Sequence, residues 1–319
     1  MKNLKYIILI IGVLMTIQSC EDQDGIRFPE FEDAAVMRIQ VDPDYGSLDA
    51  SDIENAKIVY GIFTENDNVE SVVLSASYYN FQNDTTYERR VIREYTQGDF
   101  DANNLSIYDE EFTSQFLAQA FGLPNGTSDM GGGDRFDFFN VTTLTNGMVF
   151  PDTILAGTEY ETVNVTPNII NSAGTSSFSV GFTAYVACPI QDGFATGDYY
   201  MEQISGPGDP WEGTPYRWAP GVVTLTQESP IERKFVGFTY FGFDGREFNF
   251  LLVCGNVLVG GVDSGLSCSA GFIWGLDSPP GYYDESDDSE IFIHVLENTL
   301  GDCGLPASEP AVIKLTKVN

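Results

Sequence analysis

The chain has 319 residues, with 47 acidic side chains against 15 basic ones and one histidine, a formal charge of −32 at neutral pH. A surface this negative repels nucleic-acid phosphates and anionic lipid, which excludes both as partners. Hydrophobic residues make up 43% and aromatic residues 13%, enough to bury a core, and the length suggests two domains. Abundant Gly, Pro, Thr and Tyr beside a single good helical stretch point to an all-β protein.

At the N-terminus, Lys2 and Lys5 precede an apolar run from Tyr6 to Ile17. Crossing a bilayer takes roughly 20 apolar residues, so this run reads as a secretory signal and not as a membrane helix. It ends in Ile17-Gln18-Ser19-Cys20, which resembles the bacterial lipobox. That resemblance implies cleavage before Cys20, with residues 1–19 as leader, and acylation of the cysteine. Acyl chains at about 0.8 kcal/mol per buried CH₂ hold such a protein on a membrane. Residues 20–33 form an acidic tether, and Glu21, Asp22 and Asp24 resemble the tag that directs lipoproteins of Bacteroidota to the cell surface. A plain solvated tether is the alternative. Without the leader, 13 basic residues remain against 47 acidic, a formal charge of −34.

From Ala34 the pattern becomes β. Ile58, Tyr60 and Ile62 alternate, as do Val72, Leu74, Ala76 and Tyr78, the period that places side chains on one face of a strand. Tyr87 to Tyr95 carries Arg89, Arg90 and Arg93 and suits an edge. One segment has helical spacing: Asp109 is the expected N-cap, Glu110 and Glu111 occupy the first turn, Phe112, Phe116, Leu117, Ala120 and Phe121 share a face, and Gly122 and Pro124 close it. A strand from Arg135 to Thr143 runs into Asn146-Gly147, a strong hairpin signal. About seven strands to Val186 predict an immunoglobulin- or fibronectin-like β-sandwich over residues 34–187. The leader, the lipobox, the acidic tag and the blocks LSIYDEEFTSQFLAQAFGL (Leu105 to Leu123) and RFDFFNVTTLTNGMVF (Arg135 to Phe150) together resemble auxiliary surface lipoproteins of Bacteroidota, including the SusE-like group. Such proteins accompany SusC/SusD-type importers, so the resemblance implies those importers as partners and glycan as ligand. It carries no catalytic residue.

Cys188-Pro189 marks a boundary, and residues 188–319 read as a second β domain. Strands are expected at Asp198 to Ile204, Val222 to Gln227, Lys234 to Phe243, Arg246 to Cys254, Cys268 to Leu276, Glu290 to Leu296 and Val312 to Val318, with Asp244-Gly245 as a hairpin turn. An antiparallel meander follows, either a sandwich or a small barrel. Cys188, Cys254, Cys268 and Cys303 suggest two disulfides in an exported protein. Of the three connectivities, Cys254 with Cys268 and Cys188 with Cys303 is favoured, one closing a local loop and one tying the domain's ends. No CxxC pair and a single histidine argue against zinc.

Machinery for an enzyme is sparse. His294 alternates with apolar neighbours as a packed or interfacial residue, there is no GxSxG elbow, and 47 acidic residues leave a glycosidase-like carboxylate pair open without singling one out. Asp284 to Glu290 raises calcium as a ligand, although it lacks EF-hand spacing and such a run is usually a solvated loop. No other cofactor is expected. The most suggestive binding feature is GPGDPWEGTPYRWAP (Gly206 to Pro220), where Trp211, Tyr216 and Trp218 lie in a connection, joined by Trp274, Tyr282 and Tyr283 in a second one. Exposed, these rings would stack on a sugar or a partner protein; buried, they would seal the end of a sandwich. Asp84-Thr85-Thr86 and Asp152-Thr153-Ile154 resemble the O-glycosylation site of Bacteroidota. A non-enzymatic accessory that captures glycan is therefore expected. Its rivals are a structural subunit of an outer-membrane complex and a carboxylate-dependent hydrolase.

Overall fold

The computed structural model describes residues 37–64, 68–101, 106–151, 181–268 and 271–318. The leader, Cys20, the acidic tether and the Asp152-Thr153-Ile154 match lie outside them. Residues Ala35–Asn319 belong to one compact unit, and its described residues build two modules with separate cores.

The first module contains β1 (Met37–Val41), β2 (Leu48–Asp49), β3 (Lys57–Thr64), β4 (Val69–Asn80), β5 (Thr85–Thr96), β6 (Ser106–Thr113), helix α1 (Ser114–Phe121), β7 (Arg135–Leu144), β8 (Val149–Pro151) and β9 (Gly181–Ala187). One sheet runs β1-β3-β6, the other β2-β9-β7-β4-β5 with β8 paired to β7. Their inward residues share one core, because the period-two alternation gives each sheet one apolar face. Phe112 of the first sheet stacks on Phe138 of the second at 5.2 Å, and the Tyr60 and Tyr95 hydroxyls meet at 2.6 Å between them.

The Asn146-Gly147 hairpin forms as its sequence signals, with Gly147 at φ 85° and the Leu144 N–H donating to the Met148 carbonyl at 2.9 Å. The helix starts later than its sequence suggests. Thr113, not Asp109, is the N-cap, its hydroxyl accepting from the Phe116 N–H at 3.2 Å. Glu110 and Glu111 stay in β6, where Lys57 of the adjacent strand β3 pairs with Glu111 and Arg93 of β5, in the facing sheet, pairs with Glu110, ion pairs that a helical first turn at these positions would give up. Gly122 ends the helix at φ 66°.

The second module is built from β10 (Gly197–Ser205), β11 (Gly221–Gln227), β12 (Glu232–Tyr240), β13 (Phe243–Val253), β14 (Asn256–Leu258), β15 (Val262–Asp263), β16 (Ile273–Leu276), β17 (Gly281–Asp284), β18 (Asp287–Glu297) and β19 (Glu309–Lys317). Strands β10, β11, β12, β13, β14, β17, β18 and β19 pair in that order, each antiparallel to the next, and β19 pairs back with β10. The meander is thus a closed eight-stranded barrel, which leaves no edge among these eight strands. An interior of this size either fills with side chains or holds one small ligand. Here Tyr199, Met201, Phe235, Phe248, Phe250, Ile293 and Ile313, with their buried neighbours, fill it.

The barrel ends differ. At one, turns at 228–231, 254–255 and 285–286 are short and the chain enters from β9; at the other lie the long connections 206–220, 259–280 and 298–308. The entry end is fixed to the first module by Ala187, Ile231 and Val253, which form a small apolar cluster, and by a Cys188–Cys254 disulfide. Gly132 lies against that bridge, so that a Cβ there would come within 2.5 Å of the Cys254 sulfur. The second disulfide joins Cys268 to Cys303 and ties two long connections together. This corrects the expected Cys254–Cys268 and Cys188–Cys303 pairing. Cys254 and Cys268 sit at opposite ends of the barrel, a separation that proximity in sequence conceals.

Candidate functional site

The long loop Gly206 to Pro220 folds back over the barrel end and carries Arg217 and Trp218 into the core. Trp218 is fully buried, bridges to Tyr240, stacks parallel on Phe238 at 5.0 Å and meets Trp274 at 4.8 Å. Its indole N–H donates to Glu297 Oε1 at 2.6 Å, which also accepts from the Tyr240 hydroxyl at 3.1 Å. Arg217 donates to Glu297 Oε2 at 2.7 Å and to Glu309 Oε2 at 2.7 Å, while Gln203 Oε1 accepts from the Arg217 and Trp218 backbone N–H groups. The Trp274 indole N–H addresses the Tyr240 hydroxyl without completing a hydrogen bond of good geometry.

Burial pushes the Glu297 carboxyl up, against the opposing pull of Arg217, Trp218 and Tyr240. Burial also pushes Tyr240 well up, and the nearby Glu297 charge adds to that. Burial acts to lower Arg217, yet its bonds to Glu309 and Glu297 outweigh this and hold the guanidinium above its ordinary value. Buried except at Glu309, which is 24% exposed, this network closes the barrel and fixes the loop.

The six aromatic residues singled out in the sequence do not form one surface. Trp218 and Trp274 are fully buried core, and Tyr283 is 6% exposed with its ring 5.6 Å from Phe194. Tyr216 is half-buried. Trp211, 54% exposed, leans on Phe241 at 4.7 Å at the long-loop end. Tyr282 is 51% exposed on the outer wall near the opposite end, stacked on Phe292 at 4.6 Å. Of the two readings of these rings, burial holds for Trp218, Trp274 and Tyr283 and exposure for Trp211 and Tyr282; Trp218 turns inward because the Gly/Pro connection doubles back over the barrel end. His294 lies half-buried on the outer wall, its Nδ1 3.0 Å from the Pro279 carbonyl.

An open groove runs beside Tyr282, between the 254–255 and 285–286 turns, lined by Tyr282, Phe292, Gly255, Asp284, Glu285, Asp287 and Glu290 among others. Much of the acidic run is engaged in local structure. Asp284 accepts from the Ser286 N–H at 2.8 Å and its hydroxyl at 2.7 Å, and Asp287 from the Ser289 N–H at 2.9 Å. Asp288 turns inward to the Ala195 N–H, the Tyr199 hydroxyl and Lys317. Among the described residues, potential metal-binding groups converge in threes only where Glu285 approaches Cys188 and Cys254, and where Asp302 approaches Cys268 and Cys303. The sulfurs at both places are in disulfides, so no thiolate is available there. Among the described residues, no three carboxylates of the 284–290 run converge as the calcium raised from the sequence would require.

Sequence reasoning missed Glu297 and Glu309, and also Arg233, which is fully buried with its Nε donating to the Phe194 carbonyl at 2.9 Å. A readable signal existed for two of them. Glu297 continues the inward phase of Ile291, Ile293 and Val295, and Arg233 shares the phase of Phe235, so each is a charge at a buried position. No family model matches the chain, and comparison with characterised proteins gives no significant match.

Proposed function

We propose that this chain is a cell-surface lipoprotein of the outer membrane that serves a SusC/SusD-type importer as a non-enzymatic accessory and captures glycan on the outside of its barrel. The leader, the Ile17-Gln18-Ser19-Cys20 sequence and the acids that follow support the address. The observation that carries the capture reading is the filled interior. With Trp218, Trp274 and Phe235 occupying the barrel and Arg217 and Glu297 closing one end, a ligand has only the outer surface, where Trp211 and Tyr282 remain half exposed. The first module then acts as an immunoglobulin- or fibronectin-like spacer between lipid and barrel.

External protease should remove the protein from intact cells, and Cys20→Ala should release it from the membrane fraction. Retention on a polysaccharide gel should fall about tenfold or more in a Trp211→Ala, Tyr282→Ala double variant, a loss of about 1.4 kcal/mol. Survival of the protein on protease-treated cells sinks the surface assignment, and unchanged retention sinks the capture assignment. A second reading, a structural subunit of an outer-membrane complex, is favoured by Tyr200 and Val222, paired neighbours on the outer wall that are 42% and 61% exposed. Pull-down without any glycan distinguishes it, since a structural subunit stays in its complex.

A further inference from the structure

We propose that the groove beside Tyr282 binds an amine-bearing sugar, its ring lying on the tyrosine and its ammonium among the carboxylates. The inference rests on the surface-capture reading above and names the ligand class that one part of that surface takes. Four acids, Asp284, Glu285, Asp287 and Glu290, line the groove, and no lysine or arginine does. Glu290 is compensated from the side by Lys314 at 2.7 Å. Asp284, Glu285 and Asp287 pair with no cation among the described residues. Hydrogen bonds from Ser286 hold the Asp284 carboxyl below its ordinary value, so it is charged at neutral pH. Such a groove selects for positive charge and discriminates against anionic polymers.

The aromatic wall supplies what an acidic loop alone lacks. Tyr282 stacks on Phe292 with their planes 15° apart, and Phe292 in turn lies under the Lys314 ammonium at 5.5 Å. One ring is thereby fixed by the other while half of its surface faces solvent. A flat, supported ring next to carboxylates suits a sugar whose C–H face stacks and whose ammonium is bound by charge-assisted hydrogen bonds. A third feature is the Tyr283 hydroxyl, which belongs to a groove-lining residue only 6% exposed and lacks a hydrogen-bond partner of good geometry. Burial pushes this phenol up, the Gly255 N–H opposes, and the Glu285 charge reinforces the rise. A polyhydroxyl ligand offers the partner that the protein does not.

The wall also argues against a basic peptide. Strands β14, β17 and β18 are each paired on both sides, so an extended peptide finds no free edge to which its main chain can add. Recognition here is by side chains alone, which favours the ring over the strand.

The test uses the purified full-length protein without its leader and three probes of similar length: a glucosamine oligomer, its fully N-acetylated counterpart and oligolysine. Calorimetric titration should show binding of the glucosamine oligomer that weakens with added salt. Binding should fall about tenfold or more in Tyr282→Ala and in Glu285→Gln, Asp287→Asn, while both variants keep the parent's unfolding midpoint because the replaced side chains are exposed. The acetylated oligomer and oligolysine should bind at least about tenfold more weakly. Equal binding of the acetylated oligomer would overturn the role of charge and leave surface capture of glycan standing. Equal binding of oligolysine would overturn the sugar class. No binding of any probe, or glucosamine binding untouched by the variants, would remove the groove as the site without bearing on membrane attachment.

Discussion

Replacing both Cys188 and Cys254 by alanine should destabilise the barrel selectively. The bridge spans 66 positions, and the loop it closes contains β10 to β13, half of the barrel ring, but no strand of the first module. Treated as loop-closure entropy removed from the unfolded chain, a loop of that length contributes about 4.3 kcal/mol at 25 °C. The Cys268–Cys303 loop of 35 positions contributes about 0.6 kcal/mol less by the same relation. The three tryptophans, Trp211, Trp218 and Trp274, all lie in the second module. Tryptophan fluorescence in urea therefore reports barrel unfolding, while tyrosine-dominated near-ultraviolet dichroism includes the first module. In the double variant the fluorescence transition should move to lower urea by an amount matching about 4 kcal/mol at an unchanged slope. A fluorescence shift below about 1 kcal/mol, or an equal displacement of both signals, would show that the bridge does not act through the unfolded barrel.

Local pattern succeeded where nothing distant competed with it and failed where tertiary packing did. Asn146-Gly147 made its turn because both flanking strands end there. Asp244-Gly245 did not, even though the same rule favoured it. The β12–β13 turn lies instead at Phe241 and Gly242, at φ 49° and 71°, three residues earlier. Phe241 accepts a left-handed conformation, unfavourable for a bulky residue, because its ring packs between Trp211, Tyr240 and Phe272 while the Arg217 guanidinium lies over it at 4.9 Å. The strands of the barrel were largely visible from their alternation, but the short β14 and β17 were not, since three or four residues carry too little period. Closure of the ring stood only as one of two alternatives, barrel beside sandwich, because it depends on β19 meeting β10 more than 100 positions away. The Arg217–Glu297 pair has the same character: the glutamate's inward phase was legible in β18, but its partner sits 80 positions earlier in a loop. Aromatic content drew attention to these segments but left open which way the rings face: Trp218, Trp274 and Tyr283 turn inward, Trp211 and Tyr282 outward.

Three further perturbations test the energetics. Glu297→Gln should cost about 3 kcal/mol in urea unfolding followed by fluorescence, the lower end for breaking a buried pair, because Arg217 keeps Glu309; a cost under about 1 kcal/mol would show that the network is not needed to hold the loop. Gly132→Ala places a Cβ 2.5 Å and 2.9 Å from the Cys254 and Cys188 sulfurs and should cost about 1–3 kcal/mol through overpacking. That cost should largely vanish in the background lacking both cysteines, and additive effects would refute the contact as its cause. Asp288 contributes to the acid limb of stability. Burial alone would raise its carboxyl, but Lys317, the Ala195 N–H and the Tyr199 hydroxyl outweigh burial and hold it below the ordinary value. A carboxyl depressed in the folded state contributes stability that is present above the unfolded value of about 4 and is lost as the pH falls through the folded value. Asp288→Asn should therefore lower stability near neutral pH by about 2 kcal/mol. The gap between parent and variant should close as the pH is taken from about 5 to below 3. Parallel stability curves over that whole range would show that the bonds to Ala195, Tyr199 and Lys317 do not depend on the charge of Asp288.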